Sequence, residues 1–130
     1  MSMNDPLANA ISHILNCERL GKSECKVDNM SKVIKGVLDI MKENHYIGEY
    51  KISIHNNKQT AVVNLIGSIN KSGAIKPRFS VKWDQFEKFE KRYLPAQGFG
   101  ILIISTTKGL MTQNQAFEKK LGGRLIAYCY

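Results

Sequence analysis

The sequence predicts an α+β fold: an N-terminal α-β-α-β-β unit packed on a mainly β C-terminal unit with one or two short helices. Three observations carry this. Met30, Val33, Ile34, Val37, Leu38 and Met41 recur at the spacing of one buried helical face. Residues 46–55 and 60–66 flank Asn56-Asn57-Lys58-Gln59, a hairpin signal because asparagine tolerates left-handed backbone angles. Residues 101–104, preceded by Gly100, are continuously apolar, as a strand covered on both faces must be.

The elements follow in order. Asp5-Pro6 opens a first helix, with an acid as cap and proline in the first turn. Leu7, Ile11, Ile14 and Leu15 repeat at helical spacing, and Gly21 closes the helix. Residues 24–27 read as a short strand. The second helix and the hairpin complete the first unit, and Gly67 is the expected boundary, giving units 1–66 and 67–130. In the second unit Ser72-Gly73 reads as a turn and residues 75–82 as a strand. Asp84 with Glu87 resembles an acidic capping box for a short helix carrying Phe86, Phe89 and Tyr93 on one side, and Pro95 ends it. Thr112 with Gln115 forms another capping box, for a helix expected to run to Leu121. Gly122-Gly123 breaks that helix, and residues 124–130 finish as a strand.

Composition narrows the function. A chain of 130 residues with 43% apolar content is globular. Its formal charge is +8, and such a surface attracts polyanions. The excess is one-sided: residues 1–66 hold eight cations and seven anions, residues 67–130 eleven and four. No apolar run approaches the roughly 20 residues that cross a bilayer. The N-terminus lacks the pattern of a signal peptide, so a cytoplasmic protein with no membrane association is expected. Cys17, Cys25 and Cys129 form neither a disulfide framework nor a zinc spacing. His13 and Cys17 lie four apart, but two ligands are too few for a structural zinc site, and packing is the better reading. His13, His45 and His55 are scattered and no cysteine is marked as activated, so no enzyme, no metal and no cofactor are expected.

The segment Ser105-Thr106-Thr107-Lys108-Gly109 leaves the apolar strand as a run of hydroxyls beside a cation. Such a tip suits a ligand offering phosphates, hydroxyls and base edges. Lys76, Arg78 and Lys82 are interleaved with Phe79 and Trp83, a pattern that suits RNA. Small domains nevertheless need aromatics for their cores, and core packing is the expectation for Phe79.

That segment, continued by Leu110-Met111-Thr112, Ala116 and Leu121-Gly122-Gly123, closely resembles the small-subunit ribosomal protein eight family. Asp5-Pro6-Leu7-Ala8-Asn9, Ser31-Lys32, Tyr46-Ile47-Gly48-Glu49 and Ile75-Lys76-Pro77-Arg78-Phe79 extend the likeness along the chain. The last two, with Tyr93-Leu94-Pro95, resemble the archaeal–eukaryotic branch, whose eukaryotic counterpart is protein fifteen-a. The resemblance implies a primary binder of small-subunit ribosomal RNA that holds an irregular helix of the central domain during assembly. Partners would be that RNA and neighbouring small-subunit proteins, with the chain monomeric off the ribosome. A regulator binding a messenger RNA, such as its own, through the same surface is the alternative. The family's RNA-reading loop maps onto Ser105, Thr106 and Thr107, with Lys108 and Gly109 beside them, and its glycine pair onto Gly122 and Gly123. Lys76 and Arg78 would meet phosphate, and Ser31-Lys32 would offer a helix N-terminus to a flanking backbone. The chain departs from many bacterial members at Arg124, where they carry an acid. An acid accepts a hydrogen bond from a base amino group; arginine can only donate, to phosphate or a guanine edge.

Overall fold

The computed structural model describes residues 6–28, 30–75, 78–96 and 99–130. The expected Asp5 cap and Lys76 lie outside the described residues. The chain divides between Ile69 and Asn70 into two compact units. Asn70 is tied to the second, since its N–H and that of Lys71 both donate to the Tyr130 carbonyl, at 2.7 and 2.8 Å.

The first unit runs α1 (Pro6–Arg19), β1 (Glu24–Val27), α2 (Lys32–Glu43), β2 (Ile47–His55) and β3 (Lys58–Leu65). Its antiparallel sheet has the order β1-β3-β2. The apolar stripe of α1 buries Leu7, Ala10, Ile11, Ile14, Leu15 and Cys17. In α2 the buried set is Ile34, Val37, Leu38, Ile40 and Met41. Val33, expected within that stripe, lies at its margin in the first turn and stays 40% exposed. Ser31 caps α2 by accepting the Ile34 N–H at 3.2 Å. The helix stops where His45 turns left-handed (φ 64°) and the Tyr46 N–H donates back to the Met41 carbonyl at 2.9 Å. The Tyr50 hydroxyl donates to Asp39 and so ties β2 to α2. Burial and that neighbouring carboxylate push the phenol up to about 12, which keeps it a donor. The hairpin turn is tighter than expected. Only Asn56 and Asn57 (φ 51° and 65°) form it, and Lys58 already pairs with His55.

The second unit runs β4 (Ser72–Ala74), β5 (Ser80–Val81), α3 (Phe86–Tyr93), β6 (Ile101–Thr106), β7 (Gly109–Thr112), α4 (Gln113–Glu118) and β8 (Gly123–Cys129). The sheet order is β4-β8-β6-β7, with β5 also pairing β8. Several local expectations fail here, each for a visible reason. Ser72-Gly73 is strand rather than turn, because Ser72 pairs with Cys129 and Gly73 with Tyr128. A Cβ on Gly73 would lie 3.0–3.2 Å from the Tyr128 ring and hydroxyl, so glycine is what lets the tyrosine cross that strand. Among the described residues of 75–82 only Ser80 and Val81 pair as strand, each against the start of β8. No side chain caps α3 among the described residues: the N-cap is Gln85, whose Oε1 instead accepts the Lys82 N–H at 3.3 Å. The Thr112–Gln115 capping box forms in full. Its helix ends early, at Glu118, because Lys120 turns left-handed (φ 56°) and the Leu121 N–H donates to the Ala116 carbonyl at 2.9 Å.

All four residues Ile101 to Ile104 are buried, at the centre of the sheet. Leu102, Ile104 and Leu125 join Phe86, Phe89 and Ala116 in one core, with Phe79 and Trp83 packed against it. Phe79 contacts Phe89 at 5.7 Å between ring centroids, in keeping with a core role. Gln113 is a buried polar bracket, 2% exposed. Its Oε1 accepts the Leu102 N–H at 2.8 Å and its Nε2 donates to the Gly100 carbonyl at 3.4 Å, just beyond the point where β7 stops pairing β6. Gln113→Leu keeps the volume but orphans that N–H, so a loss of about 1–3 kcal/mol is expected in urea denaturation. An unchanged midpoint would show that the bracket contributes nothing.

Candidate nucleic-acid interface

The ends of β6, β5 and β8 meet at one edge of the second unit's sheet. Register across the strands aligns Ser80 with Arg124, Arg124 with Ser105, and Ser105 with Leu110. Residues in such a row share a face of the sheet, and Ser80, Arg124 and Ser105 are all exposed on it. Above this row lies a groove of about 730 Å³. One wall is β5 and the residues after it, including Lys82, Trp83, Asp84 and Gln85. The other wall carries Ser105, Thr106 and Thr107, with Gly122, Gly123 and Arg124 between. Among the described residues its ionisable lining is Lys82, Arg124 and one acid, Asp84.

The glycine pair does not break a helix: Gly123 opens β8 and Gly122 precedes it, each tight against neighbouring backbone. A Cβ on Gly123 would lie 2.2 Å from the Ser105 carbonyl oxygen, and one on Gly122 would lie 2.7 Å from that of Val81. Both approaches are to backbone, which cannot swing aside. Glycine here is what draws β8 against β6 and β5.

The hydroxyl segment is a tight hairpin rather than an open loop. Thr106 pairs with Gly109 across Thr107 and Lys108. The Thr106 Oγ1 donates to the Gly109 carbonyl at 2.8 Å and accepts the Lys108 N–H at 3.1 Å. Its hydroxyl proton is therefore spent inside the turn. Among the described residues no hydrogen bond engages the hydroxyls of Ser105 or Thr107, and both residues are exposed. Lys108 is exposed at the turn, as is Gly109 at the start of β7.

Trp83 lies half-buried on the groove wall. Its ring packs on Phe117 at 5.5 Å, tilted by 59°, with the Lys120 Nζ 5.9 Å from its centroid. It is thus partly a core residue and partly a groove surface. Arg78, exposed, precedes β5. Ser31 and Lys32 belong to the first unit, where they line a separate shallow groove of about 520 Å³ with Asn57 and Lys58. Ser31 spends its acceptor on capping α2, while Lys32 and Lys58 supply charge. Ser80 and Gln85 were not legible as site residues. Their place in the groove comes from β5 pairing with β8, a contact that no local pattern encodes.

A basic α+β protein with hydroxyls, an arginine and an indole along one groove has a surface chemistry that suits a nucleic acid. The sequence model of the family described as Ribosomal protein S8 matches residues 5–130, and the chain belongs to that family. It is a small-subunit ribosomal protein of a structural kind that binds ribosomal RNA, not an enzyme family. Among the described residues no helix is long and apolar enough to cross a membrane.

Gly123→Ala is expected to destabilise the protein by about 1–3 kcal/mol in urea denaturation, because the new methyl group must displace backbone. A cost near zero would mean that the close approach of β8 to Ser105 is not tight.

Proposed function

We propose that the second unit is the primary RNA-reading unit and that its groove receives an irregular helix of the small-subunit RNA's central domain. On this reading the protein binds early in subunit assembly and is of the archaeal–eukaryotic branch. The carrying observation is the row Ser80–Arg124–Ser105 beneath the groove, flanked by Thr107 and Trp83. A regular RNA duplex hides its base edges in a deep, narrow major groove. An unpaired or bulged nucleotide exposes them, and a groove of this size can take one.

The roles divide by chemistry. Ser105 and Thr107 each offer a hydroxyl that both donates and accepts, which suits base edges and ribose 2′-hydroxyls. Arg124, which only donates, meets phosphate or a guanine edge. Thr106 acts indirectly, by closing the turn that presents its neighbours. Gly122 and Gly123 shape the groove floor and let RNA approach the backbone. Lys108, with Lys76 and Arg78, neutralises phosphate, and Gly109 completes the hairpin that carries Lys108. Ser31 and Lys32 contact a flanking backbone through the start of α2, with neighbouring small-subunit proteins as further partners.

Ser105→Ala is expected to weaken binding to a central-domain fragment about tenfold, and binding to a generic hairpin much less. Equal losses on both RNAs would remove Ser105 from selective recognition. Lys108→Gln is expected to lower the salt slope of binding by about one. An unchanged slope would show that Lys108 meets no phosphate.

A further inference from the structure

We propose that His13, Cys17 and Cys25 form a three-ligand zinc(II) site that fastens α1 to β1, with water as the fourth ligand. This site lies in the first unit and is independent of the groove's RNA-binding role.

The ligand atoms of these three residues all lie within 4.8 Å of one another. The Cys17 Sγ is 3.9 Å from the His13 Nε2. A tetrahedral zinc ion with Zn–S near 2.3 Å and Zn–N near 2.0–2.1 Å holds its ligand atoms about 3.6–3.8 Å apart. Closing the cluster onto a metal therefore takes a shift of an ångström or less, within the reach of side-chain rotation.

Local structure explains how the three meet. His13 and Cys17 are four residues apart on α1 and so share one of its faces. The helix then stops at a left-handed Gly21 (φ 75°), with the Lys22 N–H donating back to the Cys17 carbonyl at 3.0 Å. That turn sends the chain straight back into β1, which is held by its pairing with β3 and carries Cys25. The third ligand, invisible to sequence spacing, is supplied by this reversal.

The donor set selects the metal class. Two thiols and an imidazole suit borderline and soft cations, and among the described residues no carboxylate joins them to attract magnesium or calcium. Both cysteines are buried, at 4% and 2% exposure, while His13 is exposed and forms the solvent side of the site. A bound cation displaces the proton of a coordinating thiol outright. On binding, two S–H bonds break and two Zn–S bonds form, with both protons passing to solvent. His13 gives the Nε2 lone pair, and no electron is transferred. Two thiolates and one zinc(II) leave the buried cluster neutral.

The test uses the full chain, purified with reductant and stripped of metal. Competition with a chromogenic chelator is expected to show one equivalent of Zn²⁺ bound with micromolar affinity or better. Cobalt(II) in its place is expected to give tetrahedral visible bands with thiolate-to-metal charge transfer. Because the buried cysteines contribute to packing, the discriminating variant is the exposed His13→Gln. It is expected to keep the wild-type far-ultraviolet circular dichroism while losing about tenfold or more in zinc affinity. Failure to bind Zn²⁺, unchanged affinity in His13→Gln, or a Cys17–Cys25 disulfide in place of metal binding would each overturn the proposal.

Discussion

The second unit depends on one close approach. Strand β8 is the hub of its sheet, pairing with β4, β5 and β6. At its first residue, Gly123, there is no room for a side chain against the Ser105 backbone. Gly122 is held in the same way against Val81. Two hydrogen atoms in place of two methyl groups thus bring three strand ends together. The groove is the space above them. Without that approach Arg124 could not lie in register between Ser80 and Ser105.

Rigidity around the groove comes from polar groups acting on backbone. Gln113 continues the hydrogen bonding of β6 past the end of β7. Thr106 locks its own hairpin, and the Thr112–Gln115 box fixes the start of α4. Each group satisfies donors or acceptors that would otherwise need water. The hydroxyls of Ser105 and Thr107 stand apart because, among the described residues, they serve no such internal need. A preorganised surface with uncommitted hydrogen-bonding groups loses little entropy on binding, which fits the proposed reading of one site in a folded RNA.

What the sequence revealed follows how local each cause was. The α2 stripe, the buried run at residues 101–104 and the Thr112–Gln115 box are set by near neighbours, and all three appear in the structure. Ser72-Gly73 misled because its strand character comes from residues 128 and 129. The helix expected to reach Leu121 stops early because Lys120 takes a backbone conformation normally left to glycine. The hydroxyl run was visible as a motif. The division of labour within it was not, since only the hairpin register shows that Thr106 is occupied. Cys25 joined His13 and Cys17 through a chain reversal that spacing could not reveal. Ser80 and Gln85 entered the groove through pairing across some forty residues.

The most direct test is an amide and indole NMR titration of the full chain with a central-domain fragment of small-subunit RNA. The account predicts that the largest shifts fall on residues 105–108, on residues 122–124 and on the Trp83 indole N–H. Saturation should come at one RNA per protein. Binding whose shifts fall elsewhere and leave those resonances in place would contradict it.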